Sequence, residues 1–413
     1  MSGDRTGDRA AGLLLTAARW WDGTGEHLRP RARIAVRGGR ITGVGEDAAA
    51  PPGTRVLDLG DRTLMPGLVD CHVHLAESPA GDPGDPVGRR VLTALRPLRE
   101  LLERGFTTVR DLGCDLEEPV AVHLRDAVRA GLVPGPRMLV APHLISATGG
   151  HSDRTPLARP YGAARIGPLA DGADALVQRV RADARDGADW IKFAATGGLT
   201  SPTDRPDRPA YGQRETDALV GAATDLGLPC ATHAFSDEGV VRALRAGVRS
   251  VEHACLATPP VLDLIADHGA YLVPTLHAVE HFLDHLDDDA FWPPARRPTR
   301  EKLARHAAAL RGHGRRVAAS RAAVAFGTDA GMFPHTDNWR EFPALTGAGL
   351  TPHRVLRAAT STAADLLGRP DLGRIAAGAT ADLIALPGDP FEEIEALHRV
   401  DFVMQRGAVR RSL

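Results

Sequence analysis

The chain has 413 residues, a formal net charge of −2, 43% hydrophobic and 25% charged residues, and 4% aromatics. That length asks for one large domain with an appendage, and the near-neutral charge leaves neither a cationic field for nucleic acid nor a polybasic patch for a membrane. So few aromatics argue against base-stacking platforms, and no run approaches the ~20 apolar residues of a membrane span.

In chain order, MSGDRTGDRAAG is polar and expected to fray, and the LLLTAA that follows is too short for a signal-peptide core. Residues 13–59 read as short strands, among them ARIAVRGGRITGVG, two β-runs joined at Gly38–Gly39. The chain then alternates between short apolar runs and helical patterns. Eight strand candidates emerge, at 67–75, 107–113, 137–142, 190–195, 229–234, 250–254, 271–276 and 324–330. One intervening helix starts at Ser236 as N-cap, carries Asp237 and Glu238 in its first turn and ends at Gly247; another ends at Gly227. The pattern predicts an α/β fold, a (β/α)8 TIM barrel. After residue 373 strands and turns return, so the two ends are expected to pair as a small β-sandwich. The expected division is 11–62 with 373–413 for that domain and 63–372 for the barrel. Cys71, Cys114, Cys230 and Cys255 are scattered without a CxxC pair, which fits a reduced, cytoplasmic protein.

In DCHVHL, His72 and His74 lie two apart on a strand, so both imidazoles face one way. His233, His253, Asp329 and Lys192 fall near the ends of predicted strands five, six, eight and four. In a barrel that is the face on which active sites are built. Any one of them alone reads as a structural residue; six polar groups at one end of five strands read as a metal site. Lys192 is unusual in another way: of 50 basic side chains, only Lys192 and Lys302 are lysines. A lysine amine can lose its proton when buried, whereas a guanidinium does not. Four imidazoles and one carboxylate supply ligands for two divalent cations but lack a bridge. A lysine that has taken up CO₂ becomes an anionic carbamate with two oxygens, which leads to the hypothesis that Lys192 is carbamylated and links a metal pair.

The segments PGLVDCHVHL, WIKFAATGG, THA, VEHA, GTDAG and AATSTAADLLG…GRIAAGATADLIAL resemble the amidohydrolase superfamily over nearly the whole chain. The resemblance implies His72, His74 and Asp329 on a first metal, His233 and His253 on a second, and carbamylated Lys192 between them. Zinc is the first choice, with manganese, cobalt and iron also suited to such ligands. HLISATGGHSD, Tyr211 in PAYGQRE and GTDAGMFPHTDNWREF resemble the imidazolonepropionase-like and Xaa-Pro dipeptidase (prolidase-like) branch. His143, His151, Tyr211 and His335 thereby become candidate substrate contacts. Two departures stand out: Phe235 replaces a histidine that relatives often carry two residues after the strand-five ligand, and Ser236 stands where deaminases of the superfamily carry glutamate.

The implied activity is metal-assisted hydrolysis of a C–N bond in a small substrate such as a dipeptide or N-acyl amino acid. The cations acidify a shared water and polarise the carbonyl, and Asp329 carries the proton to the leaving nitrogen. Alternatives are a single-metal cyclic amidohydrolase or deaminase, a tailoring hydrolase of secondary metabolism, and a non-catalytic scaffold. A homo-oligomer is expected.

Overall fold

The computed structural model describes residues 12–49, 51, 53–77, 85–153, 155, 167–201, 203–293 and 296–412; most of the N-terminal stretch expected to fray lies outside them. The two ends of the chain do meet. Leu13–Trp20, Arg29–Arg37, Arg40–Val44, Arg55–Asp58 and Thr63–Pro66 join Leu383–Leu386, Phe402–Gln405 and Ala408–Arg411 in one eight-stranded sheet. The seam between the ends is the antiparallel pair 63–66 with 383–386. Alternating apolar residues from both sides, including Leu15, Ile34, Leu64, Leu383, Phe402 and Met404, make a buried cluster, so neither end segment could bury its apolar face alone.

The middle of the chain alternates strand and helix. Leu68–Val73, Phe106–Asp111 and Arg137–Val140 form one parallel sheet. Leu144–Ile145, Ile191–Ala194, Cys230–Ala234, Ser250–His253, Tyr271–Val273 and Ala323–Val324 form another. Backbone hydrogen bonds link the two sheets at both margins: Cys71 N–H donates to Phe326 O at 2.9 Å and His74 N–H to Ala330 O at 2.8 Å, while Trp190 N–H donates to Val140 O at 3.1 Å. Each of the eight expected regions overlaps a strand, but three differ in detail: the seventh is regular only over Tyr271–Val273 and gives way to a left-handed Thr275 and a helix from Leu276. The third is split around Pro142, which has no N–H to continue the ladder. The eighth is regular only over 323–324, because the chain beyond it bends in close to the first strand. At Gly327 a Cβ would lie 2.3 Å from Val273 Cγ1 and 2.8 Å from the His72 Cβ. The helix Asp237–Ala246 begins after Ser236 and ends on Gly247 at φ +96°, as its sequence signals require.

Phe326, fully buried, holds this approach in place, with ring centroids 4.4 Å from Phe342 and 5.8 Å from Phe106. Phe326→Ala is expected to cost about 3–5 kcal/mol. Because Asp329 lies three residues on, the substitution should lower the thermal midpoint and activity together; a melt unchanged from wild type would contradict this packing account.

Candidate metal centre

The residues singled out from the sequence converge at the ends of the strands. His72 and His74 point the same way from 68–73, their Nε2 atoms 3.3 Å apart. Asp329 reaches them from the eighth strand: its Oδ1 lies 3.3 Å from each of those nitrogens. Its backbone is at φ +61°, a left-handed conformation that few non-glycine residues adopt. The preceding Thr328 is tied down by its hydroxyl, which donates to Asp70 at 2.8 Å, so the turn brings Asp329 over the histidines.

His253 arrives by a similar device. Strand alternation would send Glu252 and His253 to opposite faces. Instead His253 and Ala254 take φ +69° and +54°, and both Glu252 and His253 turn inward. The His253 ring is 5.0 Å from that of His72 and 4.7 Å from that of His233. Ligand atoms of His72, His253 and Asp329 all lie within 4.8 Å of one another, close enough for one ion. Lys192 opens onto the same cavity from 191–194.

The proton state of His233 and His253 suits ligation, whereas His74 must give up a proton to a metal. Burial, reinforced for His233 by His151 and for His253 by His233, holds both imidazoles well below their ordinary pKa, so they stay neutral. Burial also disfavours a charged His74, but Asp329, Glu77 and Asp111 outweigh it and raise the ring to about 9. Burial alone would push Asp329 up; His72, His74 and His253 hold it well below the carboxylate range. This histidine–carboxylate knot is what a divalent cation would replace with bonds of its own.

The two lysines of the chain differ sharply. Lys302 is buried and donates to three acceptors. Lys192 is 1% exposed, and its Nζ has no hydrogen-bond partner among the described residues. Burial lowers its pKa to about 8, with Glu252 opposing the fall and Arg110 aiding it. A buried amine without an acceptor is costly as it stands. As a carbamate it would become a metal-binding anion, so the residues present fit a metal pair.

Glu252 was missed in the sequence. It accepts from His72 Nδ1 at 2.9 Å through one oxygen and from Arg110 at 2.9 Å through the other. Arg110, stacked at 4.5 Å over Trp190, also donates to Ser250 and to the Cys71 carbonyl. Burial would raise the Glu252 pKa, but Arg110, Lys192 and His72 drive it far down. The signal was Arg110 itself: an arginine inside TTVRDLG, buried in a sheet, demands a buried acid. Together with Nδ1 contacts from His74 to Gly113 O (2.6 Å) and from His253 to Thr275 Oγ1 (2.8 Å), this arrangement leaves Nε2 of three histidines toward the cavity. Glu252→Gln is expected to weaken metal retention about 10–100-fold, as read by chelator competition, and to lower the melt as well, because buried Arg110 loses its counter-charge.

Of the four expected substrate contacts, only His151 lines the cavity, stacked on His233 at 4.0 Å. The other three are not among its lining residues, and each has a polar atom engaged inside the fold. His143 binds Asp183 through Nδ1 and the Glu117 carbonyl through Nε2. The Tyr211 hydroxyl donates to Ala170 O at 3.1 Å, and His335 Nε2 lies 3.1 Å from the backbone oxygen of His74. An apolar wall not anticipated from the sequence comes from Leu199, Phe235, Val279, Phe282 and Met332. Cys255 is fully buried in the cluster behind it, and all four cysteines are free.

Residues 63–410 match the profile of the Amidohydrolase family. Ochratoxinase of Aspergillus niger is 28% identical over 429 aligned residues, covering 94% of this chain and 84% of that protein. Imidazolonepropionase of Deinococcus radiodurans is 28% identical over 394, covering 89% and 88%. Among solved structures, a Xaa-Pro dipeptidase with methionine bound in its active site superposes with a TM-score of 0.90 at 33% identity, covering 97% of this chain and all of the other. These likenesses imply a TIM-barrel-like α/β fold.

Proposed function

The chain belongs to the amidohydrolase family and is a hydrolase of C–N bonds; from that premise we propose a binuclear metal-dependent enzyme that cleaves the amide bond of a dipeptide or N-acyl amino acid. The observation that carries this reading is the buried, unpartnered amine of Lys192 beside His72, His253 and Asp329. His72, His74 and Asp329 would hold one ion, His233 and His253 the other, with carbamylated Lys192 between. Divalent ions, zinc foremost, supply Lewis acidity when bound, acidifying water and polarising a carbonyl. The chain's own residues do the rest. Asp329 accepts a proton at its carboxylate and returns it to the leaving nitrogen. Phe235, Phe282 and Met332 exclude bulk water, and His151 faces the substrate. Likeness to a Xaa-Pro dipeptidase at 33% identity supports a small peptidic substrate.

The same reading carries a closed (β/α)8 barrel over 63–372, a β-sandwich from 11–62 and 373–413, and a cytoplasmic homo-oligomer. No helix of the described residues is long and apolar enough to cross a membrane. A second reading, a single-metal cyclic amidohydrolase, draws on the one-ion grouping of His72, His253 and Asp329 and on the imidazolonepropionase likeness.

One experiment separates the two readings: elemental analysis of protein grown with zinc and bicarbonate, followed by a hydrolysis panel of Xaa-Pro dipeptides, N-acyl amino acids and cyclic amides. About two equivalents of metal with turnover of the linear amides supports the binuclear enzyme. About one equivalent with turnover of the cyclic amides alone supports the second reading.

A further inference from the structure

Lys302 lies in the helix Arg297–Arg311, outside the metal site, yet it is buried and its ammonium is fully occupied. It donates to Asp204 Oδ1 at 2.5 Å, Ser201 O at 2.7 Å and Gly198 O at 3.3 Å. Three acceptors around one point match the three N–H donors of an ammonium, a geometry that a planar guanidinium cannot fill. This explains a lysine in a chain that otherwise uses arginine. The other Asp204 oxygen accepts the Gly198 N–H at 2.7 Å, so the ion pair draws Gly198 and Asp204 together.

The intervening segment lines the cavity at Leu199 and Thr200 and is joined to His151 by Ser201. Its hydroxyl lies 2.7 Å from His151 Nδ1 and accepts the Ser152 N–H at 3.2 Å. Ser152 sits at φ +74°, a conformation that persists only when its surroundings impose it. The His151 ring presses on Gly198, where a Cβ would fall 2.3 Å from His151 Nδ1, and stacks on His233 from the other side. His151 is thus wedged between these residues and the metal centre, with Asp204 Oδ2 3.9 Å from its Nδ1, and the Lys302–Asp204 pair ties Gly198, Ser201 and Asp204 together.

We propose that the buried Lys302–Asp204 ion pair is a latch that positions His151 in the wall of the catalytic cavity, making Lys302 and Asp204 positioning residues for substrate that act through His151. The kinetic part of this inference rests on the proposed hydrolase reading. The structural part does not, and the two are measured separately.

Hydrogen exchange on the metal-loaded full chain tests the structural part with Lys302→Met and Asp204→Asn. Peptides covering 198–204 and, far from Lys302 in sequence, 149–153 are expected to exchange about tenfold faster or more, while 230–234 is unchanged. Faster exchange confined to 198–204, or loss of protection in 230–234 as well, would overturn the latch. Kinetics on whichever amide the panel identifies tests the rest. Lys302→Met and His151→Ala should each lower kcat/KM about tenfold at unchanged metal content, and the double variant should lose no more than His151→Ala alone. Losses that multiply, or that follow metal content, refute action through His151. If Lys302→Met does not fold, Gly198→Ala displaces His151 with the ion pair intact. The same loss then supports the placement of His151, and wild-type kcat/KM overturns it.

Discussion

Lys192→Ala is expected to lower hydrolysis about 10³-fold or more, roughly 4 kcal/mol of barrier, and to take bound metal from about two equivalents to about one or fewer. Alanine removes the only group in the cavity that could become a bridging carbamate. Lys192→Arg should fail equally, since a guanidinium keeps its proton and cannot take up CO₂. Propionate, small enough to enter the space left by the side chain, should restore part of both losses to the alanine variant. Native mass spectrometry of the wild type should show one CO₂ above the sequence mass. Metal-free protein given zinc should regain activity faster in bicarbonate as pH rises toward about 8, because below that value Lys192 is increasingly protonated and unreactive. Retention of both metal equivalents and of the wild-type rate in Lys192→Ala would sink the binuclear reading.

Asp329→Asn is expected to cost about 10²–10⁴-fold in kcat. The amide keeps the shape and one oxygen ligand but cannot accept and return a proton. The deficit should therefore persist at every pH at which the wild type works and should remain when metal is supplied in excess. Assays at saturating zinc distinguish this from simple metal loss. If excess zinc restores the rate, Asp329 serves only as a ligand and the proton is carried elsewhere.

Much of the architecture was legible because its signals are local. Period-2 alternation placed His72 and His74 on one face, and a helix was bounded by Ser236, whose hydroxyl makes no cap hydrogen bond, and by Gly247, whose left-handed backbone ends it. The pairing of the chain ends was legible for a different reason: two half-buried β segments flanking an α/β region have only each other to cover their apolar faces.

The site was legible as a set of residue types and less so as a set of contacts. His143, Tyr211 and His335 have the chemistry of substrate contacts, yet Asp183, the Ala170 carbonyl and the His74 carbonyl claim them. Those partners lie 40, 41 and 261 residues away in the chain. Glu252 was hidden by the alternation that revealed His72. With His253 taken as inward, Glu252 should have faced out, and only the left-handed backbone at His253 and Ala254 brings both inside.

The sequence by itself determined the set of candidate ligand residues, the strand ends that carry them and the presence of an exceptional lysine, because residue type and short-range periodicity are properties of a few consecutive residues. Tertiary structure alone decided which lysine is free and which is a latch. Lys192 and Lys302 are the same side chain, both buried, and they differ only in whether the fold brings acceptors to the ammonium. Burial without a partner lowers the cost of losing a proton at Lys192, whereas the ammonium of Lys302 is spent on three hydrogen bonds. That difference arises from segments that meet about a hundred residues apart, which local sequence does not encode.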